Sequence, residues 1–393
     1  MKIFKVTLVL LSVLFTFPCF QIKNVDEQNP VNVMAYYMAP REDYRPQDLP
    51  LDKLTHIIFS FTVVIDNEMK FEHPGLGEKL SQLVDQKKNH PHLKVMIACG
   101  GWGGSEGFSD MAATVETRKK FVDSAIQFLL EYNLDGLDID WEYPGMYAAG
   151  NPYMPEDKQN FTSLMRELRI AMDESGKKLI LTFASAGWEN YYRYVELEEV
   201  MKYADYMNVM TYDAVGGGTP YTAHHTNLGW VKPDDVKDTP AYSIVEERGY
   251  DLVPRSAEKI ISFCIDKGVD PKQIIIGGAF YGKGWKEVPP NNNGLYQAHR
   301  GAWRNVSYAT IKEEYENKNG FIRYWDPIAK AAYLYNAEEK LFLSYEDTQS
   351  IQLKTQYAID NGLGGIMFWQ LRSDAKKDGL LDAIHEVVKR EYE

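Results

Sequence analysis

Short runs of apolar, β-branched and aromatic residues recur along the chain, separated by longer stretches in which apolar positions return every three or four residues. The runs are VNVMAYYMA (31–39), HIIFSFTVV (56–64), KVMIACGG (94–101), LDGLDIDWE (134–142), LILTFASA (179–186), YMNVMTYDAV (206–215), IIIGGAFYG (274–282) and GGIMFWQL (364–371). Each has the length of a strand, and near-continuous hydrophobicity is what a strand buried on both faces requires. Helical patterns lie between many of them, for example at 116–132, 156–174 and 256–267. Strands alternating with helices predict a parallel sheet. Eight such units predict an α/β protein, a (β/α)8 TIM barrel with its active site at the carboxyl ends of the strands.

One spacing departs from this rhythm. About eighty residues separate the seventh and eighth runs, too many for a structureless loop. Turn-rich KEVPPNNNG is followed by AYLYN and LFLSY. The expectation is a small α+β insertion at 283–341, with the barrel formed by 30–282 and 342–393. The N-terminus departs too. Lys2 and Lys5 precede an apolar run from Val6 to Phe17, the pattern of a signal peptide over 1–20 and too short for a comfortable membrane span. The expected location is secreted or extracytoplasmic. Phe17, Pro18 and Phe20 make a poor cleavage region, and Cys19 is a candidate for lipid attachment at the cell surface. No other segment is long and apolar enough to span a bilayer.

The net charge is −13 and no run of Lys and Arg stands out, which argues against a nucleic-acid partner. The three cysteines, Cys19, Cys99 and Cys264, imply no disulfide framework. The eight histidines are scattered, so neither a metal nor another cofactor is expected. The 26 Tyr and 8 Trp suit either a packed core or a sugar cleft.

The fourth run carries the chemistry. Asp138, Asp140 and Glu142 alternate with Leu137, Ile139 and Trp141, so three carboxylates share one strand face. Like charges that close repel, and burying them is costly unless they are paired or protonated. A solvated acidic edge leaves Trp141 unexplained, and a calcium loop needs a glycine and oxygen spacing that are absent here. Glu142, at the mouth end and next to a second carboxylate, should hold its proton tightly, as a general acid does. The group should titrate as a unit. Acid catalysis on an acetal oxygen is glycoside hydrolysis, but Asp140 would stand beside the acid rather than across the sugar. An N-acetyl group on the substrate can attack instead.

DGLDIDWEYPG resembles the signature of glycoside hydrolase family 18, the chitinases and related endo-N-acetylglucosaminidases. Asp135, Asp138, Asp140 and Glu142 meet its D-x-x-D-x-D-x-E pattern. CGGW (99–102), MTYD (210–213), FYGKGW (280–285) and GGIMFWQL resemble its other strand motifs, and the resemblance spans nearly all of the mature chain. The insertion also falls where that of the chitinase branch falls. The resemblance implies a secreted hydrolase of chitin or N-acetylglucosamine oligosaccharides. Glu142 would be acid and then base. Asp140 would orient the acetamido group, Asp138 would hold the spare proton, and Tyr212 would donate to the acetamido carbonyl. Asp213 and Met210 would shape the −1 subsite, and Trp369 would be its floor. Trp102 would stack on the leaving-group side, and Tyr36, Tyr281 and Lys283 would contact substrate or triad. Without the resemblance, Trp369, Trp102, Tyr36, Met210 and Tyr212 fit core packing equally well, and Asp135, of opposite parity, reads as structural. Two positions depart from the family. Ala98 stands where many members have Ser. Lys283 stands where many have Arg, and a lysine lacks arginine's planar fork. The alternatives are an endo-β-N-acetylglucosaminidase acting on N-glycans, and a non-catalytic chitin-binding lectin. Such lectins commonly lack the glutamate or its neighbouring aspartate, and both are present here.

Overall fold

The computed structural model describes residues 31–248 and 255–392. The expected leader and Cys19 lie outside the described residues. In chain order the first strands are β1 (Asn32–Met38), β2 (His56–Ile65), β3 (Glu68–Lys70), β4 (Lys94–Gly100), β5 (Gly136–Asp140), β6 (Ile180–Ala186), β7 (Tyr206–Met210) and β8 (Ile274–Ala279). The chain then forms β9 (Tyr281–Trp285), β10 (Ala302–Ser307), β11 (Phe321–Asp326), β12 (Ala331–Asn336) and β13 (Leu341–Tyr345). It returns for β14 (Gly365–Trp369). Eight of these strands are parallel, in the order β1-β14-β8-β7-β6-β5-β4-β2, and β1 pairs with β2 to close the ring. This is a TIM barrel. β3 is a short antiparallel addition to the end of β2.

Strand parity creates two cores. Ile57, Phe59, Val95, Ile97, Cys99, Leu137 and Ile139 point outward and pack beneath the helices. Met34, Ile58, Met96, Ala98, Ile275 and Met367 point inward and fill the barrel. Both faces are buried, which is why the strands read as unbroken apolar runs. Cys99 and Cys264 are buried free thiols.

The helices Val115–Glu131, Asp157–Glu174 and Ala257–Asp266 fall where the periodicity places them. Ser256 caps the last, its Oγ accepting from the Lys259 N–H at 3.2 Å, a contact typically worth about 1 kcal/mol. The first crossover carries two 3-10 turns instead, Pro46–Asp48 and Leu51–Lys53. Pro46 and Pro50 punctuate that segment, and neither would sit inside a continuing helix. No helix among the described residues is long and apolar enough to cross a membrane.

The second sheet is antiparallel, in the order β10-β9-β13-β12-β11. It extends past the expected 283–341 at both ends. FYGKGW does not continue β8: the Phe280 ring stacks on Phe368 in the outer core, centroids 4.0 Å apart, and the chain turns there into β9. All of LFLSY pairs within the second sheet. Immediately after it, Glu346 meets Lys354 of the helix Thr348–Asp360 in a fully buried ion pair at 2.5 Å. The Lys354 ammonium also reaches the Thr226 hydroxyl at 2.8 Å and the Gly277 carbonyl of β8 at 3.2 Å. Removing either partner would leave a buried charge uncompensated.

Candidate active site

β5 is buried along its whole length. Its parity sends Leu137 and Ile139 to the outer core and the carboxylates of Asp138 and Asp140 inside. Asp138 lies deepest and is fully satisfied. It accepts from the Tyr36 hydroxyl at 2.9 Å, the Thr182 hydroxyl at 2.5 Å and the Asn208 amide at 3.0 Å. Burial pushes its carboxyl up to about 6, while the Thr182, Tyr36 and Asn208 hydrogen bonds hold it down. Asp140 is also buried, yet its Oδ1 has no hydrogen-bond partner among the described residues. Burial, then the charges of Glu142 and Asp138, hold it well above the usual carboxylate range. Glu142 stands just past the strand end, and burial pushes it up to about 7 despite the opposing Tyr143 hydroxyl. Two carboxyls that stay protonated near neutral pH are equipped to give protons.

The backbone around Glu142 is held from two sides. The Ser105 hydroxyl accepts from the Glu142 N–H at 2.9 Å and donates to the Gly101 carbonyl at 2.9 Å. The Asn151 amide donates to the Glu142 carbonyl at 3.2 Å. This explains the glycines of CGGW: Gly101 N–H bonds the Asp140 carbonyl at 2.7 Å, and a Cβ at Gly100 would run into that same carbonyl. The peptides Ser60–Phe61, Glu142–Tyr143 and Trp369–Gln370 are cis.

Above the triad opens a cleft of about 800 Å³. Asp140, Glu142, Tyr212 and Asp213 line it, with Tyr36, Trp102, Met210, Tyr281, Lys283 and Trp369. Asp138 lies beneath it. Tyr212 is buried, and the only acceptor near its hydroxyl among the described residues is the Met367 sulfur at 3.9 Å, a weak one. Asp213 has a left-handed backbone, φ 57°. It accepts from the Tyr281 hydroxyl at 2.5 Å and pairs with Lys283 at 2.8 Å. Burial alone would raise its carboxyl, but His225 and Lys283 hold it below the usual range. His225 Nδ1 is 3.7 Å away, too far for a good hydrogen bond, so Lys283 is the firmer anchor. The Trp369 ring is supported by Phe61, stacked at 5.6 Å, and by Tyr36 at 5.9 Å. Trp102 is 58% exposed at the rim.

The family profile of glycosyl hydrolases family 18 matches residues 33–374. This chain belongs to glycosyl hydrolases family 18. Chitinase A1 of Niallia circulans is 38% identical to this family 18 chain over 323 residues, 78% of this chain and 44% of the relative. The chain thus spans under half the length of that relative. A family 18 N-acetylglucosaminidase of Paenibacillus barengoltzii superposes with a TM-score of 0.80 at 35% identity, covering 91% of this chain and all of that one. A chitinase of Bacillus thuringiensis superposes with a TM-score of 0.83 at 29% identity, covering 92% and 70%.

Several residues of the site escape sequence reasoning. Thr182 and Asn208 carry a usable signal: each is polar, at an inward position of an apolar strand, and Thr182 pairs in register with Asp138. Ala98, in register on the other side, offers no donor. Phe61, Trp188 and Arg255 also line the cleft: Phe61 lies within β2, where an aromatic in an apolar run reads as core, and Trp188 and Arg255 lie outside the strands, where periodicity gives no signal. Asp135 is at the opposite end of its strand. It binds Lys87 at 2.6 Å and the Val95 N–H at 2.8 Å, which is a structural role.

Proposed function

We propose that this family 18 protein hydrolyses chains of β-1,4-linked N-acetylglucosamine, chitin or its oligomers, with retention and with the substrate's own acetamide as nucleophile. One observation carries the reading: the buried Asp140 has an unpartnered oxygen directly below the cleft. An acetamide N–H in the −1 subsite would satisfy it, and the unengaged Tyr212 hydroxyl would donate to the acetamide carbonyl. Among the described residues no other carboxylate lining the cleft is placed to attack. Asp213 is held by Lys283 and Tyr281, and Glu72 is exposed at the rim. Glu142 protonates the glycosidic oxygen, the acetamide oxygen closes on the anomeric carbon, and the leaving sugar departs. Glu142 then takes a proton from the water that opens the oxazolinium ring. Burial and the neighbouring carboxylates favour the protonated form of Asp140. Asp138, at about 6, is poised to take the proton when Asp140 ionises.

Trp369 forms the floor and Trp102 the leaving-group side. Lys283 of β9 and Asn305 of β10 extend one wall, so the segment carrying the second sheet acts as an insertion that deepens the cleft. The leader pattern at 1–20 supports export, with Cys19 as a candidate lipid anchor.

The test is NMR of fresh products from a soluble chitin hexamer. The first product should be the β anomer, and a thiazoline analogue of the oxazoline should inhibit. An α-anomeric first product overturns the mechanism. Oligosaccharide binding without turnover would reveal a lectin, and release of glycans from a glycoprotein would shift the substrate to N-glycans. The likeness to the Paenibacillus N-acetylglucosaminidase favours a second reading, stepwise release of single sugars, which the product profile distinguishes.

A further inference from the structure

Two cations line the cleft. Lys283 is compensated by Asp213 at 2.8 Å. Arg255 has no such partner: among the described residues no carboxylate stands within ion-pair distance of it. Its guanidinium lies over the Trp188 ring, 4.5 Å from the centroid. The ionisable groups facing it are the Tyr143 and Tyr221 hydroxyls, both held above the ordinary tyrosine value by burial and therefore neutral. His224, across a cavity of about 60 Å³ behind it, is engaged with Asp326 at 3.1 Å.

The placement is unfavourable for a cation. Arg255 is half-buried, and it immediately precedes Ser256, the N-cap of the helix Ala257–Asp266. That helix end carries partial positive charge. The backbone is nevertheless pinned there, with the Arg255 carbonyl accepting from the Asn227 amide at 3.0 Å. An arginine cannot escape by losing its proton. A charge with no carboxylate partner among the described residues, fixed on an aromatic face inside a cleft, points to a ligand.

The wall it belongs to is that of the acid. Trp188 packs edge-on against Tyr143 at 5.3 Å, and Tyr143 directly follows Glu142. In the proposed mechanism Glu142 gives its proton to the oxygen of the departing sugar, and this wall lies beside that acid. On that basis, and resting on the function proposed above, we propose that Arg255, mounted on Trp188, is a specificity-determining residue that excludes a free amino sugar from the leaving-group side of the cleft. An N-acetylglucosamine unit is neutral, and its carbonyl can accept from the guanidinium. A glucosamine unit of a partly deacetylated chain carries an ammonium below the titration of its amine. The electron-withdrawing oxygens of the ring make this amine less basic than a simple alkylamine, so it is charged in mildly acid solution and neutral in mildly alkaline solution. The ammonium would meet a like charge that is half-buried in the cleft wall and only partly screened.

The experiment digests half-deacetylated chitosan with the full chain and identifies the sugar at each newly formed non-reducing end, which reports the leaving-group side. At pH near 5.5 the wild type should show N-acetylglucosamine almost alone at those ends. Arg255→Gln should raise the glucosamine share about tenfold, the effect of one partly screened unit charge a few ångströms away, and Arg255→Lys should keep the exclusion. The wild type alone supplies a second readout. Towards pH 8.5 the amine loses its charge while Arg255 keeps its own, so the exclusion should relax in the end-group ratio even as the rate falls. Glucosamine at wild-type ends in proportion to the polymer at pH 5.5, or an exclusion unchanged by pH, would overturn the proposal. Failure of the wild type to cleave the fully acetylated hexamer would instead sink the proposed function.

Discussion

Asp138 and Asp140 are two residues apart on one strand and live in opposite surroundings. Below, Asp138 is clamped by three donors from β1, β6 and β7. Above, Asp140 has a buried oxygen without a partner among the described residues, beneath a tyrosine hydroxyl that lacks a good acceptor. Asp138 is fully paired without substrate and Asp140 is not, although Asn208 Oδ1 in the lower layer also lacks a partner among the described residues. A buried polar group left unsatisfied costs about 1–3 kcal/mol, so the mouth holds back stability that a correctly placed acetamide would restore.

The most severe way to break this contrast is at the acid. Glu142→Gln keeps the shape but has no acidic proton, so turnover should fall by about 10²–10⁴-fold. Calorimetry should still detect oligosaccharide binding, and near-normal rates would remove Glu142 from its role. The paired substitutions sharpen the comparison directly. Asp140→Asn should lower kcat by about 100-fold with little change in KM, as expected for a contact that strengthens in the transition state. It should leave thermal stability equal or higher. Asp138→Asn should instead cost about 1–3 kcal/mol in denaturant unfolding, because its amide cannot accept from every donor that now converges there. Equal stability effects of the two variants would erase the distinction between the two aspartates.

The next effect is in pH. The folded-state values of Glu142, about 7, and Asp138, about 6, lie above their ordinary values of 4.5 and 3.8, and Asp140 shifts the same way. The native state therefore binds more protons than the unfolded chain between roughly pH 4 and 7. Their stabilising contribution is complete at the acid end and is lost as pH rises through the folded values. Asp213, shifted down, acts in the opposite sense and only in more acid solution. Unfolding free energy should fall by about 1–3 kcal/mol per group over that window. Glu142→Gln should flatten the slope; an unchanged slope would show that Glu142 titrates normally. The smallest effect is expected at Thr182→Val, which removes one donor from Asp138. Stability should drop by about 1 kcal/mol, and the acid limb of the rate profile should move up in pH because Asp138 is then harder to ionise. Thr182→Ser should restore both, and a valine variant with an unmoved limb would limit Thr182 to packing.

The upper half of this site is more legible in the sequence than the lower. Alternation of acidic and apolar residues in LDIDWE is enough to place three carboxylates inside, because strand parity is a strict period of two. Thr182 and Asn208 do not stand out in the same way, since a lone polar residue in a strand means little until register shows what it faces. Trp188 and Arg255 are illegible because they lie past strand ends, where position follows from tertiary packing. The same limit applies to the fold. Eight apolar runs suffice for the barrel, but the turn at Phe280 depends on its stacking with Phe368, a contact across 88 residues of sequence.

The chain leaves the barrel through β9 and comes back through β13, and these two strands are direct neighbours, with Lys283 opposite Ser344. The entrance and exit of everything between them therefore lie side by side. A detour with adjoining ends behaves as a cassette: a longer, shorter or differently shaped segment can be grafted at the same junction while β8 and the helix Thr348–Asp360 keep their places. Glu346 and Lys354, just beyond the junction, would stay behind as the socket. Lys283, on the junction strand β9 itself, would also stay behind, so each graft would reshape the cleft wall while leaving the charge facing Asp213 and the carboxylates of β5 untouched.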